Sequence, residues 1–225
     1  ERIKELMEDN VNREMLAKNS EIRALQNQIN AHFIYNVLES IKMMAEMDEE
    51  YAISDAVTAL GKLLRYSMKW VSGNVLVEQE LEYIKNYMAL INLRFDYEIY
   101  LSLNLPEQVL KQEIPKMSLQ PIVENAIYHG IKNRRGKGKI LIEGREEGDA
   151  LVLTVSDNGQ GMTPERLHEV QEAIRTGKRA GFGLAAVAER ILLYYGPGYG
   201  MQISSEEGKG TIIEIRLGKN IQPKS

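Results

Sequence analysis

The chain has 225 residues, enough for one or two domains with a real core. Hydrophobic residues make up 44% and charged residues 27%, which argues against a disordered, collagen-like or disulfide-scaffold protein. The 28 Lys plus Arg are outweighed by 32 Asp plus Glu, and this balance speaks against nucleic acid as a partner. With no cysteine there is no disulfide, no thiolate metal site and no cysteine nucleophile, which fits a reducing compartment.

No run of apolar residues is long enough to cross a bilayer, and the first residues, ERIKELMEDN, lack an apolar signal core. The chain starts at Glu1 and not at Met, so the expectation is a soluble piece of a longer protein.

Residues 1–102 hold no proline and are rich in helix-forming Glu, Lys, Leu, Met and Ala. The first stretch, 1–24, has a weak apolar stripe and reads as the end of a coiled coil. Ile22, Leu25, Ile29, Phe33, Val37, Ile41 and Met44 then step by three or four and make one apolar face. Acidic residues 47–55 read as a helix connection. Ala56, Leu60, Leu63, Leu64 and Met68 mark a second amphipathic helix, broken at Gly73-Asn74. Leu81, Ile84, Met88, Ile91 and Phe95 mark a third.

The character changes near residue 97. Tyr97–Leu105 alternates as a strand, and Pro106 and Pro115 bracket a loop and a second short strand. Ser118–Ile131 reads as a helix. Lys139–Glu146 and Ala150–Asp157 read as strands joined by a turn at Gly148-Asp149. Pro164–Ile174 is predicted as a short helix with Thr163 as N-cap, and Gly183–Tyr195 as another. Met201–Ser205 and Thr211–Leu217 make a closing hairpin, followed by a frayed tail. The prediction is a helical half followed by an α/β half.

Several clusters along this layout can carry chemistry. Asn125 and His129 lie four apart on one helix face, and an amide oxygen is a hard ligand suited to Mg²⁺. The plain alternative is a polar helix edge ending at Gly130. Asp157 ends a strand and is followed by Gly159 and Gly161. A carboxylate there can accept from an exocyclic amino group such as that of adenine, and the glycines let a base come close to the backbone. Asp-Asn-Gly is also ordinary turn chemistry.

Gly181-Phe182-Gly183-Leu184 stands just before a helix, where free N–H groups and the dipole suit a phosphate. The spacing matches neither the dinucleotide fingerprint nor the P-loop. Residues 132–139 are locally basic, with Lys132 next to the Asn125 helix. His32 sits at the border of the first apolar face with Asn36 one turn on, and a neutral imidazole is a nucleophile. Taken alone, it reads more readily as a half-buried bundle histidine.

The order of these signals is more specific than any one of them. A histidine in a helical hairpin, then an Asn box, a DxGxG, a GxGL and a final Gly-Thr hairpin resembles the sensor histidine kinases of bacterial two-component systems. The C-terminal half resembles their GHKL (Bergerat) ATP-binding fold. Leu25–Leu38, LQNQINAHFIYNVL, is similar to the LytS/YesM-type pattern around the phosphorylated histidine. Leu64-Arg65-Tyr66, Val77–Ile84, Arg94-Phe95 and Ile114–Pro121 extend the likeness across about residues 22–217.

The resemblance implies an α+β chain: a helical hairpin forming a dimeric four-helix bundle, followed by a GHKL α/β sandwich. It divides the chain into a linker at 1–24, a dimerisation and phosphotransfer domain at 25–96, an ATP-binding domain at 97–219 and a tail at 220–225. It implies ATP and Mg²⁺ as cofactors, His32 as phospho-acceptor, Asn125 as metal ligand and Glu124 as candidate general base. Asn36 would orient His32. His129, Gly130 and Lys132 would lie at the nucleotide, Asp157, Gly159 and Gly161 at the adenine, Gly181, Gly183 and Leu184 over the phosphates, and Thr211 behind Asp157.

It also implies a homodimer, a response-regulator receiver domain as partner, and a place at the cytoplasmic face of a bacterial membrane reached only through upstream segments. Two residues depart from the pattern. Ala31 replaces a helix-kinking proline, and Ala186 replaces an Asn near the nucleotide, which implies a straighter helix and weaker ATP binding. Three rival readings follow: a nucleotide-binding sensor without kinase activity, a serine kinase on the same fold, and a non-enzymatic dimerisation module.

Overall fold

A computed structural model of the chain describes residues 32–68, 73–94, 98–132, 137–177 and 183–219. The expected linker at 1–24, the motif residues 25–31 with Ala31, half of the basic stretch (133–136), Phe95, Gly181 and the tail lie outside the described residues. The chain divides into two compact units, Glu1–Val71 and Ser72–Ser225.

In the first unit, helix α1 is described over 32–47 and helix α2 runs Tyr51–Met68. The turn between them, 48–50, places Glu49 at φ 60°. Contacts fall at mirrored positions along the two helices. Arg65 stacks 5.2 Å over the Tyr35 ring, Leu38 lies beside Gly61, and Ser54 Oγ donates to Glu46 Oε1 at 3.0 Å. The pair is therefore the antiparallel hairpin expected. Helix α2 starts earlier than its apolar pattern suggested, because Ser54 and Ala59 join Leu63 in the buried stripe.

The second unit is built on strands β2 (Ile99–Asn104), β4 (Gly138–Glu147), β5 (Ala150–Asp157), β6 (Gly200–Glu206) and β7 (Gly210–Gly218). Their order in the sheet is β2-β4-β5-β7-β6. Only the β2–β4 pair is parallel, so a crossover must carry the chain between them. That crossover holds helix α4 (Glu107–Leu110), strand β3 (Glu113–Pro115) and helix α5 (Gln120–Asn125). Strand β3 pairs with β1 (Asn74–Leu76), which opens the unit ahead of helix α3 (Val77–Arg94).

Register decides the two faces of the sheet. Leu101, Ile140, Asp157 and Thr211 lie in one cross-strand row, and Leu103, Ile142, Val155, Ile213 and Ile203 in the next. This inner face packs under residues 126–131, helix α6 (Pro164–Thr176) and helix α7 (Gly183–Tyr195), and Ile140, Ile142, Leu153, Ile215 and Leu217 are fully buried. The outer face carries charge pairs: Asn104 donates to Glu143, and Arg145 bridges Glu147 and Glu214.

Three features differ from the sequence reading. Gly73-Asn74 is not only a break, since Asn74 begins β1. Helix α3 packs against β1, β2, α4 and α5 inside the second unit, so the compact unit holding the sheet starts at Ser72 and not at 97. The helix expected over Ser118–Ile131 is regular only over Gln120–Asn125 and then widens into a π turn, Ala126–Ile131. Such wide turns recur at functional sites.

Candidate functional site

The row of Asp157 and Thr211 ends at a cavity of about 320 Å³, walled by the π turn, the 160–163 loop and the starts of α6 and α7. Asn125, His129, Gly130, Gly161, Leu184 and Thr211 line it, so most of the expected nucleotide residues converge from four separate elements. Asn125 and His129 share this wall although the helix between them is a π turn.

Asp157 and Gly159 do not line this cavity. Asp157 lies just behind its wall, beside Gly130 and paired with Thr211 across the strands. Its Oδ1 accepts from the Gly159 amide at 2.7 Å, which aims the carboxylate across the end of β5. The packing here leaves no room for side chains. A Cβ on Gly130 would stand 2.7 Å from Asp157 Oδ1, and one on Gly159 would stand 2.4 Å from the Gly130 carbonyl carbon. Gly161 is at φ 68°, and a Cβ there would meet the Glu206 carbonyl oxygen at 1.9 Å. Thr211 is buried opposite Asp157, and its hydroxyl is 3.0 Å from Ser205 Oγ.

The loop after Asp157 is tied to the π turn. Gln160 donates its backbone N–H to the Gly130 carbonyl at 2.8 Å and its side-chain amide to the His129 carbonyl at 2.9 Å. Gln160, Met162, Thr163, Arg166, Val170 and Glu207 also line the cavity. The sequence reading used Thr163 only as a cap, and it is one, accepting from the Arg166 amide at 3.3 Å. Arg166 and Glu207 had one legible signal: each is a charged residue beside a turn that follows a glycine-bearing segment.

A smaller recess of about 170 Å³ adjoins, lined by Pro121, Glu124, Asn125, Tyr128, His129, Gly183 and Leu184. Glu124 accepts from Gln120 Nε2 at 2.9 Å. Tyr87 and Tyr128 share a hydroxyl contact of 3.4 Å, and burial, that contact and the Glu124 charge push the Tyr87 phenol above its ordinary range. Lys132 is exposed, with its ammonium 5.9 Å from the Tyr128 ring centre. Gly183 opens α7, and Ala186 is exposed on that helix.

His32 and Asn36 belong to the first unit. Both are exposed on α1, with Asn36 Nδ2 3.4 Å from His32 Nδ1. Among the described residues there is no group of three or more His, Asp or Glu side chains able to hold a metal alone. The Asn125 amide oxygen suits Mg²⁺ only when other oxygens, such as those of a polyphosphate, complete its shell.

Residues 20–99 match the family model for histidine kinase, and residues 115–221 match that for the histidine kinase-, DNA gyrase B- and HSP90-like ATPase. The chain is 38% identical to the sensor histidine kinase YesM of Bacillus subtilis, covering 96% of this chain and 36% of that protein. It is 32% identical to the sensor histidine kinase BtsS of Escherichia coli, covering 88% of this chain and 33% of the relative. It is also 32% identical to the sensor protein LytS of Streptococcus agalactiae, covering 92% and 36%. The chain thus spans about a third of the length of the curated relatives it matches. Among the described residues, no helix is long and apolar enough to cross a membrane.

Proposed function

This chain belongs to the sensor histidine kinase family, and we propose that it phosphorylates itself on His32 with ATP and passes the phosphoryl group to a response-regulator aspartate. The observation that carries the reading is the convergence of Asn125, Gly130, Gly161, Leu184 and Thr211 on one cavity, with Asp157 packed directly behind Gly130 and Thr211. Asp157 would accept from the adenine amino group, and the glycines at 159 and 161 would let the loop pack tightly on Gly130 and Glu206 and so hold the shape of the site. His129 and Gly130 would border the nucleotide. Asn125 would hold Mg²⁺ together with the phosphates, and the metal would spread the charge of the transferring group. Lys132, Gly181, Gly183 and Leu184 would surround the phosphates, with α7 presenting its N-terminus to them.

The transfer balances as follows. A neutral imidazole nitrogen of His32 attacks the γ-phosphorus, the bond to the β,γ-bridging oxygen breaks, and ADP leaves. The imidazole proton goes to a base, for which Glu124 in the adjoining recess is the candidate. Asn36 would hold the ring orientation through the contact on α1. The phosphohistidine then transfers its phosphoryl group to a carboxylate of a receiver domain. Two hairpins would pair as a four-helix bundle to make a C₂ dimer. The division into phosphotransfer and ATP-binding halves, and attachment at the cytoplasmic face of a membrane through segments outside this chain, belong to the same proposal.

Nucleotide affinity and incorporation of label from γ-labelled ATP test the reading together. Asp157→Asn is expected to weaken Mg·ATP about hundredfold, the worth of a charged hydrogen bond in a closed site, and to abolish labelling. His32→Gln is expected to keep the affinity and lose the label. Wild-type affinity in Asp157→Asn would remove the cavity from the account. Nucleotide binding with no label in the wild type would favour the sensor without kinase activity.

A further inference from the structure

Glu80 lies in the first turn of α3 and is 1% exposed, yet it stands outside the cavity. Its two carboxylate oxygens each take a backbone amide from the turn that precedes α5. Met117 N–H donates to one, and Leu119 N–H donates to the other at 3.0 Å. From the opposite side Arg190, on α7, donates to the carbonyls of Lys116 and Met117. Ser118 Oγ donates to the Pro115 carbonyl at 2.6 Å, and the Lys116 amide donates to the Gly73 carbonyl at 2.9 Å.

Met117 sits at φ 63°, a left-handed conformation that a non-glycine residue keeps only when its surroundings hold it. The donors and acceptors on both sides of this turn come from two helices. Burial draws the Lys116 ammonium below the ordinary lysine range, and the Glu80 charge works against that shift.

The turn matters because α5 is short. It spans Gln120–Asn125, has no side-chain cap of its own, and carries Glu124 and Asn125 at its far end. Its direction is therefore set by how its entry is held. Leu119, the residue just before it, is fully buried and bonded to Glu80. Pro121, in its first turn, stands 3.3 Å from where a Gly183 Cβ would be, so α5 abuts the start of α7.

We propose that Glu80 is a positioning residue for the nucleotide site: by holding the Lys116–Leu119 turn it sets α5, and with it the placement of Asn125. Arg190 secures the same turn from α7. The proposal rests on the reading that the cavity takes Mg·ATP, and it concerns the phosphate end of that ligand. Asp157 at the other end is held by β5 and the Gly159 amide, which do not pass through Glu80.

The test compares two probes, Mg·ATP and metal-free adenosine, on Glu80→Gln in the full chain. Glutamine keeps the size but presents an amide NH₂ to one of the two backbone N–H groups. Mg·ATP affinity is expected to fall about tenfold, the worth of one hydrogen bond to a charged group, with adenosine affinity held within about twofold. Arg190→Lys is expected to shift Mg·ATP in the same direction by a smaller factor, and it serves if Glu80→Gln fails to fold. Unchanged Mg·ATP affinity in the folded variants would overturn the proposal. So would an equal loss for both probes, which marks a merely structural role. A wild-type chain that binds neither probe would instead overturn the nucleotide reading beneath it.

Discussion

The two compact units solve the burial problem in opposite ways. In the sheet unit, Ile140, Ile142, Leu153, Ile215 and Leu217 are fully covered by helices of the same unit. In the hairpin unit, the described helices bury Ala45, Ser54, Ala59 and Leu63, while Phe33 stays 67% exposed, Met44 65% and Met47 81%. Full burial of such a side chain is worth about 1.5–3 kcal/mol, so this face lowers its free energy by meeting another apolar surface. The contrast teaches where chemistry sits in each unit. The sheet unit can hold a shaped cavity beside Asp157 because its core is complete. The hairpin presents His32 on an exposed helix, where a reacting imidazole must be reachable.

Substitutions sharpen this comparison, beginning with the largest effect. Leu153→Ala removes a fully buried side chain from the inner face of the sheet and should cost about 3 kcal/mol. Scanning calorimetry should show the sheet unit melting earlier and the hairpin unmoved. A common shift of both would contradict their independence. Next, Ile41→Glu with Met44→Glu places charge on the exposed face of α1 in helix-compatible residues. Dissociation of the proposed dimer, followed by analytical ultracentrifugation, should become at least about tenfold easier. Mg·ATP affinity should stay the same, and a matching loss of affinity would break the separation.

The smallest effect lies on the outer sheet face. Arg145, then Arg216, hold the Glu147 carboxyl below the ordinary carboxylate range. A depressed carboxylate pKa contributes stability above the unfolded-state pKa, and that contribution is lost as pH falls through the folded value. The melting temperature of Glu147→Gln should therefore lie slightly below wild type at neutral pH and converge with it in acid. Because Glu147 is fully exposed, added salt should shrink the gap as well.

The parts of the fold legible in the sequence were those with a period. Alternation over Tyr97–Leu105 marked β2, and the stepping of Phe33, Val37 and Ile41 marked α1. The residues proposed to meet the nucleotide stood out through the order of the Asn125, Asp157 and Gly181 signals, because Asp-Asn-Gly by itself is ordinary turn chemistry. What escaped had no period. Strand β1 has only Asn74–Leu76, and its partner β3 lies about forty positions on in the chain. The π turn keeps the composition of an ordinary helix. Glu80 reads as one more acidic residue in a helix, because the amides it binds come from Met117 and Leu119.

The central claim is that the two units act as phospho-acceptor and nucleotide holder. Its most direct test is to treat the chain with γ-labelled ATP and Mg²⁺ and map the phosphate by mass spectrometry at alkaline pH. The account predicts an acid-labile phosphate on the peptide containing His32, absent from Asp157→Asn. An acid-stable phosphate on a serine, or label that persists in His32→Gln, would contradict it.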